Sequence, residues 1–264
     1  MILTAPAISK SKTKTSALCR CHDSQWWCGY FLRQKRSLLR PPWSYPTRLS
    51  EKELSLVSSS LQEFQQGEGM EGGHFFRVVE REAQLTGDDE YRKAHRLFMA
   101  EEKRHSRDLG AFLDREGIPR LSTETPRNRL FCFLGRRCGF ELILVVVLNI
   151  EIIAQTYYGA LLSVTKSPLL RRICTQILRD EAMHVRFHCE RLAYRRRFRG
   201  RSLLILTRAL DFVLFTGAWL ICLWGHRSVL SAGGLTFRRY WNVASKYRSR
   251  AARIKNPHAY RWPG

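Results

Sequence analysis

Residues 177–188 read Ile-Leu-Arg-Asp-Glu-Ala-Met-His-Val-Arg-Phe-His, and their placement decides the fold. Leu170, Cys174 and Ile177 recur at helical spacing and share one stripe with Glu181, His184 and His188. Glu181 and His184 stand at i and i+3, so both project from the same helix face. That face is the core-facing one. Ionised groups on a buried stripe are costly unless they are paired or bound to a cation. The same Glu-x-x-His unit occurs upstream as Glu102-Lys103-Arg104-His105, on a stripe with Tyr91, Phe98, Leu109 and Phe112.

Between the two units, Glu151 sits in Leu144-Val-Val-Val-Leu-Asn-Ile-Glu-Ile-Ile-Ala154. No basic residue of its own helix lies near it, and an unpaired carboxylate there costs several kcal/mol at least. Upstream of Glu102, Ser50-Glu-Lys-Glu53 forms a capping box and opens a helix carrying Leu54, Val57, Leu61, Phe64, Phe75, Val78 and Val79. This helix offers Glu68 or Glu71. Seven residues separate Glu151 from Tyr158, and seven separate Glu68 from Phe75. Glu68 precedes Glu102 by 34 positions and Glu151 precedes Glu181 by 30. The matching halves favour Glu68, with Glu71 as the alternative.

Four long helices follow: the one opening at Ser50, a second over 89–116 stopped by Gly117-Ile-Pro119, a third over 128–164, and a fourth from Ser167-Pro168 to about Gly200. The fold expected is all-α, a four-helix bundle over residues 50–200. Residues 1–49 hold Pro41-Pro42, Pro46 and spread basic residues, and predict a loose extension with one short helix near 30–39. Residues 201–264 predict an apolar helix over 203–230, interrupted by Arg208 and Asp211, and a short basic helix over 236–252, both packed on the bundle.

The 264 residues are 44% hydrophobic and 26% charged, which excludes wholesale disorder. Charge is uneven. Residues 1–50 carry +8, residues 51–190 carry −1 and residues 191–264 carry +15. Basic ends of this kind point to an anionic partner, RNA or acidic lipid, with Arg195-Arg-Arg-Phe-Arg-Gly-Arg201 as the densest run. The same run also complements a helix C-terminus, where cations meet the dipole. The eight cysteines form no Cys-x-x-Cys pair, which predicts free thiols in a reducing, cytoplasmic setting, peripheral at a membrane if the 203–230 helix is interfacial. Cys19-x-Cys21-His22 with Cys28 fits no common zinc spacing.

One Glu, then Glu-x-x-His, then one Glu, then Glu-x-x-His resembles the ferritin-like di-iron carboxylate proteins over residues 51–200. The phrases Phe-Gln-Gln-Gly-Glu-Gly-Met-Glu-Gly-Gly-His and Ile-Leu-Arg-Asp-Glu-Ala-Met-His are similar to a little-characterised bacterial ferritin-like group. The resemblance implies two metal ions, iron or manganese, bridged by Glu102 and Glu181. It implies that His105 and Glu68 complete one metal, and His184 and Glu151 the other. Oxygen and imidazole donors with no thiolate suit those metals. It further implies that Asp180 accepts from His105 and Glu101 from His184 across the bundle.

The function implied is an O2- or peroxide-dependent oxidoreductase of unassigned substrate, with a homodimer as an expected assembly. Tyr158 is the candidate redox residue, although Tyr157 and Tyr158 also suit packing and a ligand hydrogen bond. His188 and His74 read as extra ligands or as core histidines. Gly67, Gly69, Gly72 and Gly73 crowd the first ligand and offer either access or close packing. A rubrerythrin is disfavoured by the missing Cys-x-x-Cys, and a storage cage by the basic ends and extra apolar helix. Two other readings stand beside this one. The first is a metal-independent helical adaptor in which Glu102–Arg186 and Glu181–Lys103 are ion pairs. The second is a di-iron hydroxylase gripping RNA through the arginines.

Overall fold

The computed structural model describes residues 19–45, 48–69, 73–126, 128–130, 133 and 138–262. Among these the regular structure is helical apart from one two-residue parallel pair, β1 (Cys19–Arg20) with β2 (Tyr260–Arg261), which ties the two ends of the fold together. The helices are α1 (Ser24–Gln34), α2 (Glu51–Glu68), α3 (Gly73–Thr86), α4 (Asp89–Glu116), α5 (Phe140–Val164), α6 (Pro168–Arg196), α7 (Arg201–Gly225), α8 (Arg227–Ala232) and α9 (Phe237–Ile254).

Local chemistry sets most of these limits. The Ser50 hydroxyl accepts from the Glu53 amide and the Glu53 carboxylate from the Ser50 amide, both at 3.3 Å. Asp88 caps α4 by accepting from the Tyr91 amide at 3.0 Å, and Gly117 ends it at φ 73°. Ser167 and Pro168 open α6. Two expectations need correction. The helix opening at Ser50 does not run on through Val79: α2 stops at Glu68 and α3 begins at Gly73. Glycine weakens a helix interior by about 1 kcal/mol relative to alanine, and Gly67, Gly69 and Gly73 flank the break. Likewise α5 starts at Phe140, not near residue 128, with Gly139 extended at its N-terminus.

The segment expected to be loose is also different. Asp23 accepts from the Trp26 amide at 2.7 Å and starts α1 six residues earlier than predicted. Trp27 and Phe31 are each 2% exposed, and α1 lies along α4. Apolar burial against α4 and Phe187, absent from any local periodicity, orders this stretch.

α5 lies along α6, α2 along α4, and α4 meets α6. α7, α8 and α9 all pack onto α5, and α9 packs onto α6 as well. The core divides into two apolar clusters. Phe98, Leu148, Ile152 and Phe187 belong to one, and Leu109, Ala154, Tyr158 and Ile177 to the other. On α4, α5 and α6 alike, the glutamates and histidines of interest fall at the boundary between them. Gly233 closes the α5–α8 seam, where an added Cβ would lie 2.8 Å from both the Cβ and the carbonyl oxygen of Ala160. Gly233→Ala is expected to destabilise the fold by about 1–3 kcal/mol. A chemical-denaturation midpoint unchanged from the parent would show that this seam is loose.

The arginine run is largely engaged with the protein. Arg196 and Arg199 bond to Glu141, Arg195 pairs with Glu82, and Arg197 lies over the Tyr194 ring. α5 and α7 are both long and apolar enough to cross a membrane. The apolar window of α5 is 72% buried within the protein, whereas that of α7 is 28% buried.

Candidate metal centre

Glu68 ends α2, Glu102 and His105 lie on α4, Glu151 on α5, and Glu181 and His184 on α6. Donor atoms of Glu68, Glu102, His105 and Glu181 lie within 4.8 Å of one another, and so do those of Glu151, Glu181 and His184. Glu181 belongs to both groups. His105 Nδ1 is 3.5 Å from Glu68, 3.7 Å from Glu102 and 3.7 Å from Glu181. His184 Nδ1 is 2.9 Å from Glu102 and 3.9 Å from Glu181, so Glu102 also reaches both histidines. With metal–ligand bonds of about 2.1 Å, adjacent donors around one ion stand about 3 Å apart. The spacing suits that geometry.

The orientation of the two rings is set from outside. His105 Nε2 lies 3.0 Å from Asp180, and His184 Nε2 lies 2.9 Å from Glu101. Gln176 donates to the second oxygen of Asp180 at 2.8 Å, and Arg104 donates to the first. A ring that donates Nε2–H to a carboxylate turns the lone pair of Nδ1 to the other side. Both Nδ1 atoms face the glutamates and have no hydrogen-bond partner among the described residues. The same is true of both Glu151 oxygens, Glu102 Oε1 and Glu181 Oε2. His184 Nδ1 and Glu102 Oε1 approach closely but out of line for a hydrogen bond. Each orphaned buried polar atom costs about 1–3 kcal/mol, more if charged. A cation among them would remove that cost.

Electrostatics points the same way. Burial, then the neighbouring Glu102, pushes the Glu68 carboxyl above its usual range, and the same two causes push Glu181 well above it. Burial works against a charge on His105, but the hydrogen bond to Asp180 and the nearby Glu68 and Glu102 carboxylates outweigh it and lift the ring to about 9. The metal-free cluster therefore holds protons. Four carboxylates with two neutral imidazoles sum to −4, which two divalent cations balance and one does not.

The Tyr158 hydroxyl donates to Glu68 at 2.6 Å and so fixes that carboxylate. Tyr157 turns away, accepting from Ser60 at 2.8 Å and stacking on Phe64 at 3.6 Å. Glu71 and Gly72 lie outside the described residues. Gly69 packs closely, since a Cβ there would meet Ser106 Oγ at 2.6 Å, whereas Gly67 lines a cavity. The cavity, of about 120 Å3, is bounded on one side by Glu68, Glu102, Glu151 and Glu181. Phe64, Ile153, Ala154, Ala218 and Ile221 form its apolar side.

The ion pairs considered from sequence do not form. Arg186 bonds Glu190, and Lys103 points to solvent. His74 bonds the Cys138 carbonyl at 3.1 Å. His188 lies 3.1 Å from Glu151 without hydrogen-bond geometry. His22 is engaged with Glu190, and Cys28 with the Glu90 carbonyl, so they do not converge as a zinc site.

One residue escaped the sequence reading. His95 is fully buried, with neither ring nitrogen hydrogen-bonded among the described residues. Its position seven before Glu102, on the same stripe, was the available signal. Burial, and secondarily His188, lowers its pKa from 6.5 to about 3. The unfolded chain then binds a proton that the folded one refuses. Stability is complete above about pH 6.5 and falls by about 1.4 kcal/mol per unit as pH drops toward 3. His95→Leu is expected to flatten that slope by one proton in urea titrations across this range. An unchanged slope would place the acid sensitivity elsewhere.

The chain matches no protein-family model, no curated protein and no solved structure.

Proposed function

We propose that the chain is a ferritin-like oxidoreductase. In this reading α2, α4, α5 and α6 form the bundle, and Glu68, Glu102, His105, Glu151, Glu181 and His184 hold two iron or manganese ions. The observation that carries it is the pair of inward Nδ1 atoms, each fixed by a carboxylate on the facing helix. An adaptor with no metal gives no reason for that orientation. The RNA-gripping variant is not favoured, because Arg195, Arg196 and Arg199 are held by Glu82 and Glu141.

Two adjacent ferrous ions, when bound, supply one electron each toward O2 or peroxide. The protein's own part is positional. Glu102 and Glu181 stand between the two histidines and would be shared by the two ions. Tyr158 restrains Glu68 in the wall of the cavity. The apolar side of the cavity suits a small, mainly apolar second reactant. The unbridged thiols of Cys21, Cys28, Cys174 and Cys189 accord with a reducing, cytoplasmic setting.

The test is O2 uptake. The chain is loaded anaerobically with Fe(II) and mixed with oxygenated buffer. O2 is expected to disappear faster than with free Fe(II), and Glu102→Ala is expected to abolish the difference. Uptake no faster than that of Fe(II) alone would overturn the reading.

A further inference from the structure

α7 has two unlike halves. Leu204, Asp211, Phe215, Ala218, Trp219 and Cys222 are buried against the protein. At 3.6 residues per turn, the opposite half of the helix carries no charged residue from Ser202 to Trp224. Its large side chains are exposed: Ile205 58%, Leu206 65%, Leu210 45%, Val213 64%, Leu220 50% and Trp224 82%. This strip is about 30 Å long. Single exposed leucines are ordinary, but a continuous strip of this length on a helix marks an interaction surface.

Charge decides what covers it. The region from Arg201 onward holds eleven basic residues and one acidic, and the acidic one, Asp211, is spent internally on Lys255 at 2.7 Å. The whole chain carries +22. A second copy on this strip would set like charge against like. An anionic bilayer is complementary to it. Arg201 precedes the strip, Arg227 follows it, and Arg238 and Arg239 lie beside the exposed Phe237. An apolar face with arginines at its edges and aromatic residues among them fits the boundary between acyl chains and headgroups. The buried half of α7, with its Asp211–Lys255 pair and the Arg248 guanidinium over Phe215, stays on the protein side. The helix therefore lies along the surface and does not span it.

We propose that α7 is a membrane-docking helix, laying the strip from Leu203 to Trp224 into the surface of a bilayer rich in anionic phospholipid. Docking is independent of metal. The cavity beside the glutamates takes part of its wall from Ala218, Ile221 and Cys222 of the same helix, so the docked protein presents that wall next to the acyl phase.

The experiment is flotation of the full chain with vesicles of phosphatidylcholine and phosphatidylglycerol at about two to one, against phosphatidylcholine alone. The chain is expected to float with the anionic vesicles only. Leu206→Glu and Val213→Glu, which remove no internal contact, are expected to weaken partitioning by about tenfold or more with circular dichroism unchanged. A second readout is quenching of tryptophan fluorescence by brominated acyl chains, strong in the parent and reduced in Trp224→Phe. Three results would overturn the proposal. One is a chain that does not float with anionic vesicles. Another is flotation that the α7 variants leave intact, which assigns binding to the basic residues alone. The last is a dimer in sedimentation equilibrium that both variants dissociate while vesicles bind nothing, which makes the strip an interface between copies.

Discussion

Glu181→Ala is expected to lose both metal ions, not one. Glu181 is the residue common to both donor groups, 1% exposed, and its two oxygens face different histidines, 3.7 Å from His105 and 3.9 Å from His184. Its removal takes one donor from each ion and exposes the two cations to each other's charge. The affinity should fall more than about a hundredfold, beyond the loss usual for an outer partner of a ligand. Glu151→Ala removes a donor from one group only and should leave one ion bound. The metal-free proteins should behave in the opposite sense. Burial beside Glu102 makes Glu181 an unfavourable group without a cation, so apo Glu181→Ala should be at least as stable as the apo parent. A variant that keeps two ions, or an apo variant several kcal/mol less stable, would show that Glu181 is a structural residue.

Trp27→Ala is expected to cost about 3–5 kcal/mol, the range for a large aromatic side chain removed from a packed core. Trp27 packs against Phe187 at a ring separation of 5.2 Å, and its indole nitrogen donates to Glu190 at 3.1 Å. Glu190 also accepts from His22 and Arg186, so the loss leaves a buried carboxylate with one donor fewer. One helical turn further along α1, Phe31 lies 6.2 Å from the His184 ring. The α1 segment is thus the outer wall of the buried cluster. Urea unfolding of Trp27→Ala should show the full cost. A shift below about 1 kcal/mol would mean that α1 is only draped over α4.

The helices of the middle of the chain were readable because apolar stripes and caps agree there. The Ser50 box, the Asp88 cap, Gly117 and Pro168 each mark a boundary that the structure also has. The break after Glu68 was visible as a crowd of glycines, and Gly69 there packs tightly against Ser106. α1 was not readable. An eleven-residue helix is marginal alone, and what orders Trp27 and Phe31 is a surface supplied by residues some 60 to 160 positions away. His95 was overlooked because a lone histidine on an apolar stripe signals nothing until its nitrogens are seen to lack partners. The wall that α7 gives the cavity was likewise hidden, since it depends on how the C-terminal helices fold back over α5.

The most direct measurement is elemental analysis of the chain after anaerobic loading with Fe(II) and desalting. About two ions per chain for the parent, and fewer than about half an ion for Glu181→Ala, are the values expected if cations neutralise the four glutamates. A desalted parent with less than one ion per chain, or a parent and variant with the same content, would contradict the account.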